Sequence, residues 1–279
     1  MDGIVLPYSS FSDLREAVRF GYIEDVRFKL CLIRTSEPTK PLSKFSRLLA
    51  EAIQHRHMDI LEFLLLKRIP ITSDAVKAAA KTRCREALSM LFNHSWDINQ
   101  PLSGDEPPVL SKVLEDFELV AWLLEQGANP NAGCDIDETP LSHAVAAAPR
   151  LTVQVLLEKA ATLEKGQLIH CAVDREIPDP ELIGILAENG APYDDILWQD
   201  AKSFRYRGHF TRGTPLHRAC KSDNVAVARV LLNIGAGPDK LSMKDNDHVP
   251  PTPRAIAYER RHPDMVMLFE GLKKQGFKT

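Results

Sequence analysis

The sequence predicts an all-α fold, a solenoid in which about eight short helix–turn–helix units stack side by side along 279 residues. Three observations support this prediction: a recurring apolar pair, a recurring threonine-proline helix start, and a glycine helix stop in the same register. The apolar pairs return at intervals of about 33 residues. A fixed interval of this length is typical of repeat proteins, in which each unit contacts only its neighbours.

The apolar pairs mark the second helix of each unit. Residues 90–91, 123–124 and 156–157 are such pairs, each 33 residues after the last, and the series continues at 185–186 and 231–232. Two helices of roughly ten residues each are marginal in isolation. Each unit must therefore bury its apolar stripe against the neighbouring units, which requires a stack.

The helix starts and stops recur together with the apolar pairs. ETPLSHA begins at Glu138, GTPLHRA at Gly213 and PTPRAIA at Pro251. Threonine accepts a hydrogen bond from an unpaired N-terminal amide, and proline fits the first turn of a helix. Glycine adopts the left-handed backbone that ends a helix without a Cβ penalty. The glycines predicted to end helices are Gly127, Gly190 and Gly235.

A unit of this length that holds two short helices and begins with TPLHxA resembles the ankyrin repeat. The likeness is closest over residues 213–239, which read GTPLHRACKSDNVAVARVLLNIGAGPD. It implies one domain over 1–279, with a short β-hairpin finger between successive units. The predicted units lie near 11–33, 44–69, 74–99, 107–131, 138–162, 166–192, 213–239 and 251–276. The first three lack the TPLH start and depend on helix periodicity alone.

Residues 193–213 interrupt the repeat. The interval from Leu186 to Leu232 is 46 residues, about 13 longer than one unit. The resemblance implies an enlarged finger here, and the aromatic and basic residues that alternate in SFRYRGHF favour a hairpin strand. Aromatic and arginine side chains are common in binding hot spots. We therefore expect a partner to contact Trp198, Phe204, Arg205, Tyr206, Arg207, His209 and Phe210.

Further contact residues follow from the resemblance, because ankyrin repeats bind partners through finger tips and through the turns of the inner helices. These positions are Asp135, Ile136 and Glu138 in one finger, and Lys221, Ser222, Glu259 and Arg260 in two turns. Two other roles stay open for the enlarged finger: packing of its aromatic side chains between neighbouring units, and stacking on nucleic-acid bases.

The histidines have structural and chemical interpretations. His170 and His217 occupy the histidine position of TPLHxA, where the resemblance implies structural hydrogen bonds between adjacent units. Catalysis or metal binding is the alternative. His55 and His57 form an HRH pair, but no cysteine or carboxylate cluster at ligand spacing completes a metal shell. No phosphate-binding glycine loop and no GxSxG sequence occurs. We therefore expect no metal and no cofactor.

Composition restricts the partner and the compartment. A net charge of −3, with 44% hydrophobic and 26% charged residues, indicates neither nucleic acid nor a membrane as a partner. The sequence shows no apolar run long enough to span a bilayer, and we expect no signal peptide. Five dispersed cysteines indicate reduced thiols, and hence the cytoplasm, the nucleus or both.

These observations predict a non-catalytic protein–protein interaction module, an adaptor that binds another protein or peptide through its concave groove and the enlarged finger. The alternative is an enzyme that acts on a small molecule in a pocket between the groove and residues 193–213. In that case His143, His209 or Asp200 would serve as acid or base. The sequence leaves the oligomeric state open.

Overall fold

The computed structural model consists of two compact units, Met1–Leu102 and Ser103–Thr279. It describes residues 11–160, 162–199, 201–207, 212–244 and 247–274, without the side chains of 201, 207 and 272–274. The described residues are mostly helical and form sixteen α-helices. The predicted helical class is therefore confirmed, and each unit is described separately below.

The first unit contains six α-helices and one 3-10 helix, Leu42–Phe45. The helices are α1 (Phe11–Phe20), α2 (Ile23–Ser36), α3 (Arg47–Gln54), α4 (Met58–Leu66), α5 (Ser73–Lys81) and α6 (Arg85–Asn93). They form two layers. α3 packs between α1 and α5 in one layer, and α4 packs between α2 and α6 in the other.

The second unit begins with a 3-10 helix, Val109–Lys112, and continues with ten α-helices and two strands. The helices are α7 (Phe117–Glu125), α8 (Pro140–Ala147), α9 (Arg150–Lys159), α10 (Leu168–Val173), α11 (Pro180–Glu188), α12 (Ala201–Arg207), α13 (Pro215–Lys221), α14 (Val225–Asn233), α15 (Pro253–Arg260) and α16 (Pro263–Lys274). The strands are β1 (Ser242–Lys244) and β2 (Asp247–Val249), which pair antiparallel.

Successive helices of the second unit also form layers. The 3-10 helix, α8, α10, α13 and α15 each pack against the next, while α14 packs between α11 and α16. Residues 107–131 depart from the predicted helix pair, because their first element is a single 3-10 turn. Two prolines, Pro107 and Pro108, stand directly before this turn.

The helix boundaries have the causes that the sequence predicts. The Thr139 hydroxyl accepts a hydrogen bond from the Ser142 amide, and Thr252 accepts one from Ala255, both at 3.1 Å. Proline follows each threonine in the first helical turn. The three predicted stop glycines have φ between 91° and 103°, in the left-handed region. These glycines are Gly127, Gly190 and Gly235.

The core consists of the residues that recur in the sequence. Every apolar pair contributes at least one side chain with no solvent exposure, namely Leu91, Leu123, Leu156, Leu186 and Leu231. The small residues at the equivalent position of α8, α10, α13 and α15 are buried where neighbouring helices meet. They are Ala144, Ala172, Ala219 and Ala257. No helix in the described parts of the chain is both long and apolar enough to cross a membrane.

Candidate partner-binding site

The start of the inserted segment, residues 193–213, is fixed to the connection that precedes β1. Asp194 accepts a hydrogen bond from the Gly237 amide at 3.1 Å and forms an ion pair with Lys240 at 3.3 Å. Ile196 is buried, and the Leu197 amide donates to the Gly213 carbonyl at 3.2 Å. The two ends of the insertion are therefore joined by a backbone hydrogen bond.

Residues 201–207 of the insertion form the helix α12, so the predicted strand is wrong for this stretch. Ser203 is fully buried, and its hydroxyl accepts a hydrogen bond from the Asp137 amide at 2.7 Å. Lys202 lies 3.6 Å from the carboxylate of Asp135. Adjacent helix residues point to different sides. Ser203 faces the finger at 134–138, whereas the Phe204 ring lies against the guanidinium of Arg212.

Arg212 is the residue that holds the end of the insertion, and it is only 2% exposed. Its guanidinium donates to the carbonyls of Leu197 and Trp198 and lies 4.6 Å from the centre of the Phe204 ring. Its backbone exchanges two hydrogen bonds of 2.7 Å with Met243 of β1. A buried arginine must be hydrogen-bonded to offset its desolvation, and these carbonyls contribute to that.

The outward side of α12 presents Lys202, Arg205 and Tyr206, and the Tyr206 side chain is 56% exposed. Phe204 and Trp198 are half-buried, and Trp198 has a left-handed backbone with φ 50°. Arg207 ends α12, and its side chain is not among those described. His209 and Phe210, which were also predicted to bind a partner, lie outside the described residues.

The finger at 134–138 contains one exposed residue and several residues that bind neighbouring segments. Asp135 is exposed, whereas Ile136 is 2% exposed and is therefore a core residue that no partner can reach. Glu138 lies 3.0 Å from the imidazole of His143. Asp137 accepts hydrogen bonds from the Gly166 amide, at 2.8 Å, and from the side chain of Gln167. Asp137 thus connects the finger at 134–138 with α12 and with residues 166–167.

The four predicted turn residues are all exposed. The Ser222 hydroxyl donates to the Arg218 carbonyl at 3.1 Å. Arg260 binds both carboxylate oxygens of Asp223, at 2.7–3.0 Å, and this side-chain hydrogen bond lowers the pKa of Asp223. The remaining turn residues, Lys221 and Glu259, offer one charge of each sign.

The two TPLHxA histidines are braces between neighbouring segments, as predicted. The Thr214 amide donates to His217 Nδ1 at 3.0 Å, so Nε2 carries the proton and donates to the Pro251 carbonyl at 3.2 Å. His170 Nε2 lies 2.9 Å from the Asp195 carbonyl. Burial lowers the pKa of both imidazoles from 6.5 to about 4, so both are neutral at pH 7.

The acid–base candidates of the enzyme alternative are not brought together by the described structure. His143 is engaged by Glu138, and Asp200 and His209 lie outside the described residues. Within the described ranges, no three histidine, cysteine or carboxylate side chains form a group that could hold a metal ion.

Several residues of this site escape sequence reasoning. Asp137 appears in the sequence as one charge in the acidic stretch CDIDE, and Ser203 has no feature that marks it. Arg212 appears as one of several basic residues in an aromatic and basic stretch. Ser203 and Arg212 are buried and Asp137 is half-buried, and the contacts of all three residues depend on partners far away in the chain.

Comparison with known proteins agrees with the repeat architecture. The family model of the ankyrin repeat matches residues 213–243. Over 142 residues the chain is 31% identical to the ankyrin repeat protein nuc-2 of Neurospora crassa. That match covers 50% of this chain, and the chain spans only 12% of the length of the relative.

Proposed function

We propose that the chain is an ankyrin-repeat protein and a non-catalytic adaptor that binds a polypeptide partner, on the strength of the repeat matched at 213–243 and the likeness to an ankyrin repeat protein. Ankyrin repeats generally mediate protein–protein interactions. We assign the helix pairs to eight repeats in one domain, with residues 193–213 as an enlarged connection between the sixth and the seventh. Five free cysteines support a reducing compartment, the cytoplasm or the nucleus.

The exposed side of α12 is the observation that carries this proposal. Arg205 and Tyr206 are exposed. The inserted segment that carries them is held by the hydrogen bond between Ser203 and Asp137 and by the one from Arg212 to the Trp198 carbonyl. A partner that binds an ordered aromatic and arginine pair loses little conformational entropy there. These anchors and the exposure of Tyr206 support a contact role for the segment over one of packing alone.

The proposed partner surface extends from α12 to the neighbouring finger and turns. It comprises Lys202, Arg205, Tyr206, Asp135, Lys221, Ser222, Glu259 and Arg260. The surface contains residues of both charge signs, which favours a partner with mixed charge over a polyanion. Ile136 is excluded from the surface because it is buried.

The test is affinity purification from the native cell with the double variant Arg205→Ala/Tyr206→Ala. Tyr22→Ala is the matched control, since Tyr22 is 58% exposed and lies in the first unit. We expect the double variant to lose a prey that wild type and control retain, with an unchanged melting temperature. An unchanged set of preys contradicts the proposal, and a fall in melting temperature of several degrees indicates a packing role.

A further inference from the structure

The first unit contains an open groove of about 820 Å³ along the layer formed by α1, α3 and α5. Its volume lies in the range of pockets that hold a compact ligand or a few residues of chain. The lining residues are Arg15, Arg19, Ser43, Ser46, Arg47, Ala50, Glu51, Gln54, Thr72, Asp74, Lys77, Ala78 and Lys81.

The groove is strongly basic, although the whole chain is slightly acidic. Its lining contains five arginine and lysine residues but only two carboxylates, Glu51 and Asp74. The groove therefore carries an excess of three positive charges, whereas the chain carries a net charge of −3. Walls of one charge concentrate the field inside a concave surface and attract ligands of the opposite charge.

One buried carboxylate organises the basic side chains. The side chain of Glu51 is 5% exposed and forms an ion pair with Arg15. The guanidinium groups of Arg19 and Arg47 lie 3.8 and 3.7 Å from its oxygens, and both side chains are more than half exposed. A single carboxylate cannot neutralise three guanidinium groups. Glu51 thus positions Arg19 and Arg47 while leaving most of their charge directed to solvent.

Two buried polar atoms at the same place have no hydrogen bond among the described atoms. They are Oε2 of Glu51 and the hydroxyl oxygen of Ser46, whose residue is 5% exposed. Buried polar atoms in native proteins are nearly always hydrogen-bonded. The Ser46 hydroxyl can donate to a carboxylate oxygen of a ligand, in line with the charge of the neighbouring arginines.

We propose that this groove binds an acidic segment of a partner protein, with its Asp and Glu side chains placed between Arg19 and Arg47. The proposal rests on the adaptor function proposed above and names a partner class for the first unit. The guanidinium fork suits carboxylates. A nucleic acid fits less well, because no aromatic side chain among the described residues lines the groove for base stacking.

The test uses the full chain and a fluorescein-labelled peptide of Glu and Ser, with anisotropy as the readout. We expect saturable binding, which weakens at least about tenfold in Arg19→Glu/Arg47→Glu. The same peptide with Gln in place of Glu should not bind. Arg19→Gln/Arg47→Gln provides a second measurement of the same loss if the charge-reversed protein does not fold.

The matched control is Arg27→Glu/Lys67→Glu, which changes the net charge equally at another basic surface of the first unit. This control should retain the affinity of the wild type. An equal loss in the control would overturn the proposal, as would tighter binding of a single-stranded oligonucleotide or displacement of the peptide by inorganic phosphate at equal concentration. Failure here leaves the α12 purification result unaffected, because α12 lies in the second unit.

Discussion

The buried histidines make the stability of the second unit depend on pH. His170 and His217 are neutral in the folded protein, since burial lowers the pKa of each imidazole to about 4. The hydrogen bonds from the imidazoles to backbone carbonyls raise the pKa, but by less than burial lowers it. In the unfolded chain an imidazole has a pKa of about 6.5. The unfolded state therefore binds more protons than the folded state between these two values.

The sign and the size of the effect follow from this difference. Stability contributed by a neutral buried histidine is present above pH 6.5 and is lost as the pH falls toward 4. Between pH 7 and pH 5 the loss is about 2 kcal/mol for each histidine. At pH 5 most exposed carboxylates remain ionised, so the two histidines dominate the change.

Urea titrations followed by far-UV circular dichroism at pH 7 and pH 5 measure this loss. We expect His217→Gln to be less stable than wild type at pH 7, because glutamine cannot reproduce both hydrogen bonds. The variant should nevertheless lose about 2 kcal/mol less than wild type on acidification, since glutamine takes up no proton. His55→Gln, at an exposed position, should retain the pH dependence of the wild type.

The reasoning is refuted if His217→Gln and wild type lose the same stability between pH 7 and pH 5. It is also refuted if NMR titration of the folded protein gives His217 a pKa near 6.5. Either result would mean that the imidazole is accessible to water and does not brace the Pro251 carbonyl.

Two further predictions concern Arg212 and the cysteines. Arg212→Met should destabilise the second unit by about 3 kcal/mol, because the carbonyls of Leu197 and Trp198 lose the buried guanidinium that donates to them. Urea titration measures the loss, and an unchanged midpoint would contradict this role of Arg212. Cys220 is buried and should react with Ellman's reagent only on unfolding, because burial raises the pKa of its thiol to about 12. The exposed Cys31 should react in the native protein, and equal rates for all thiols would refute this order.

The repeating parts of the fold could be predicted from the sequence because local chemistry determines them. Thr139 and Thr252 cap helices through neighbouring amides, and the stop glycines adopt a backbone that few other residues tolerate. The buried alanines recur at one position of α8, α10, α13 and α15. These features depend on residues that lie within one turn or one repeat.

The inserted segment could not be predicted in the same way. SFRYRGHF alternates over too few residues to distinguish a strand from a helix. Its helical form coincides with the burial of Ser203 against Asp137, a contact between residues 66 positions apart. The groove of the first unit could not be predicted from the sequence for a similar reason. Arg15 and Glu51 come together only because α1 packs against α3.

The anchors of α12 have a consequence for biosynthesis. The chain emerges from the ribosome with its N-terminal part first, so α12 is made before Lys240 and Met243, to which the inserted segment is attached. A nascent chain that ends before Lys240 has no ion pair for Asp194 and no backbone partner for Arg212. The proposed recognition surface around Tyr206 therefore gains these two anchors only after translation has passed β1, whereas the hydrogen bond between Ser203 and Asp137 can form earlier.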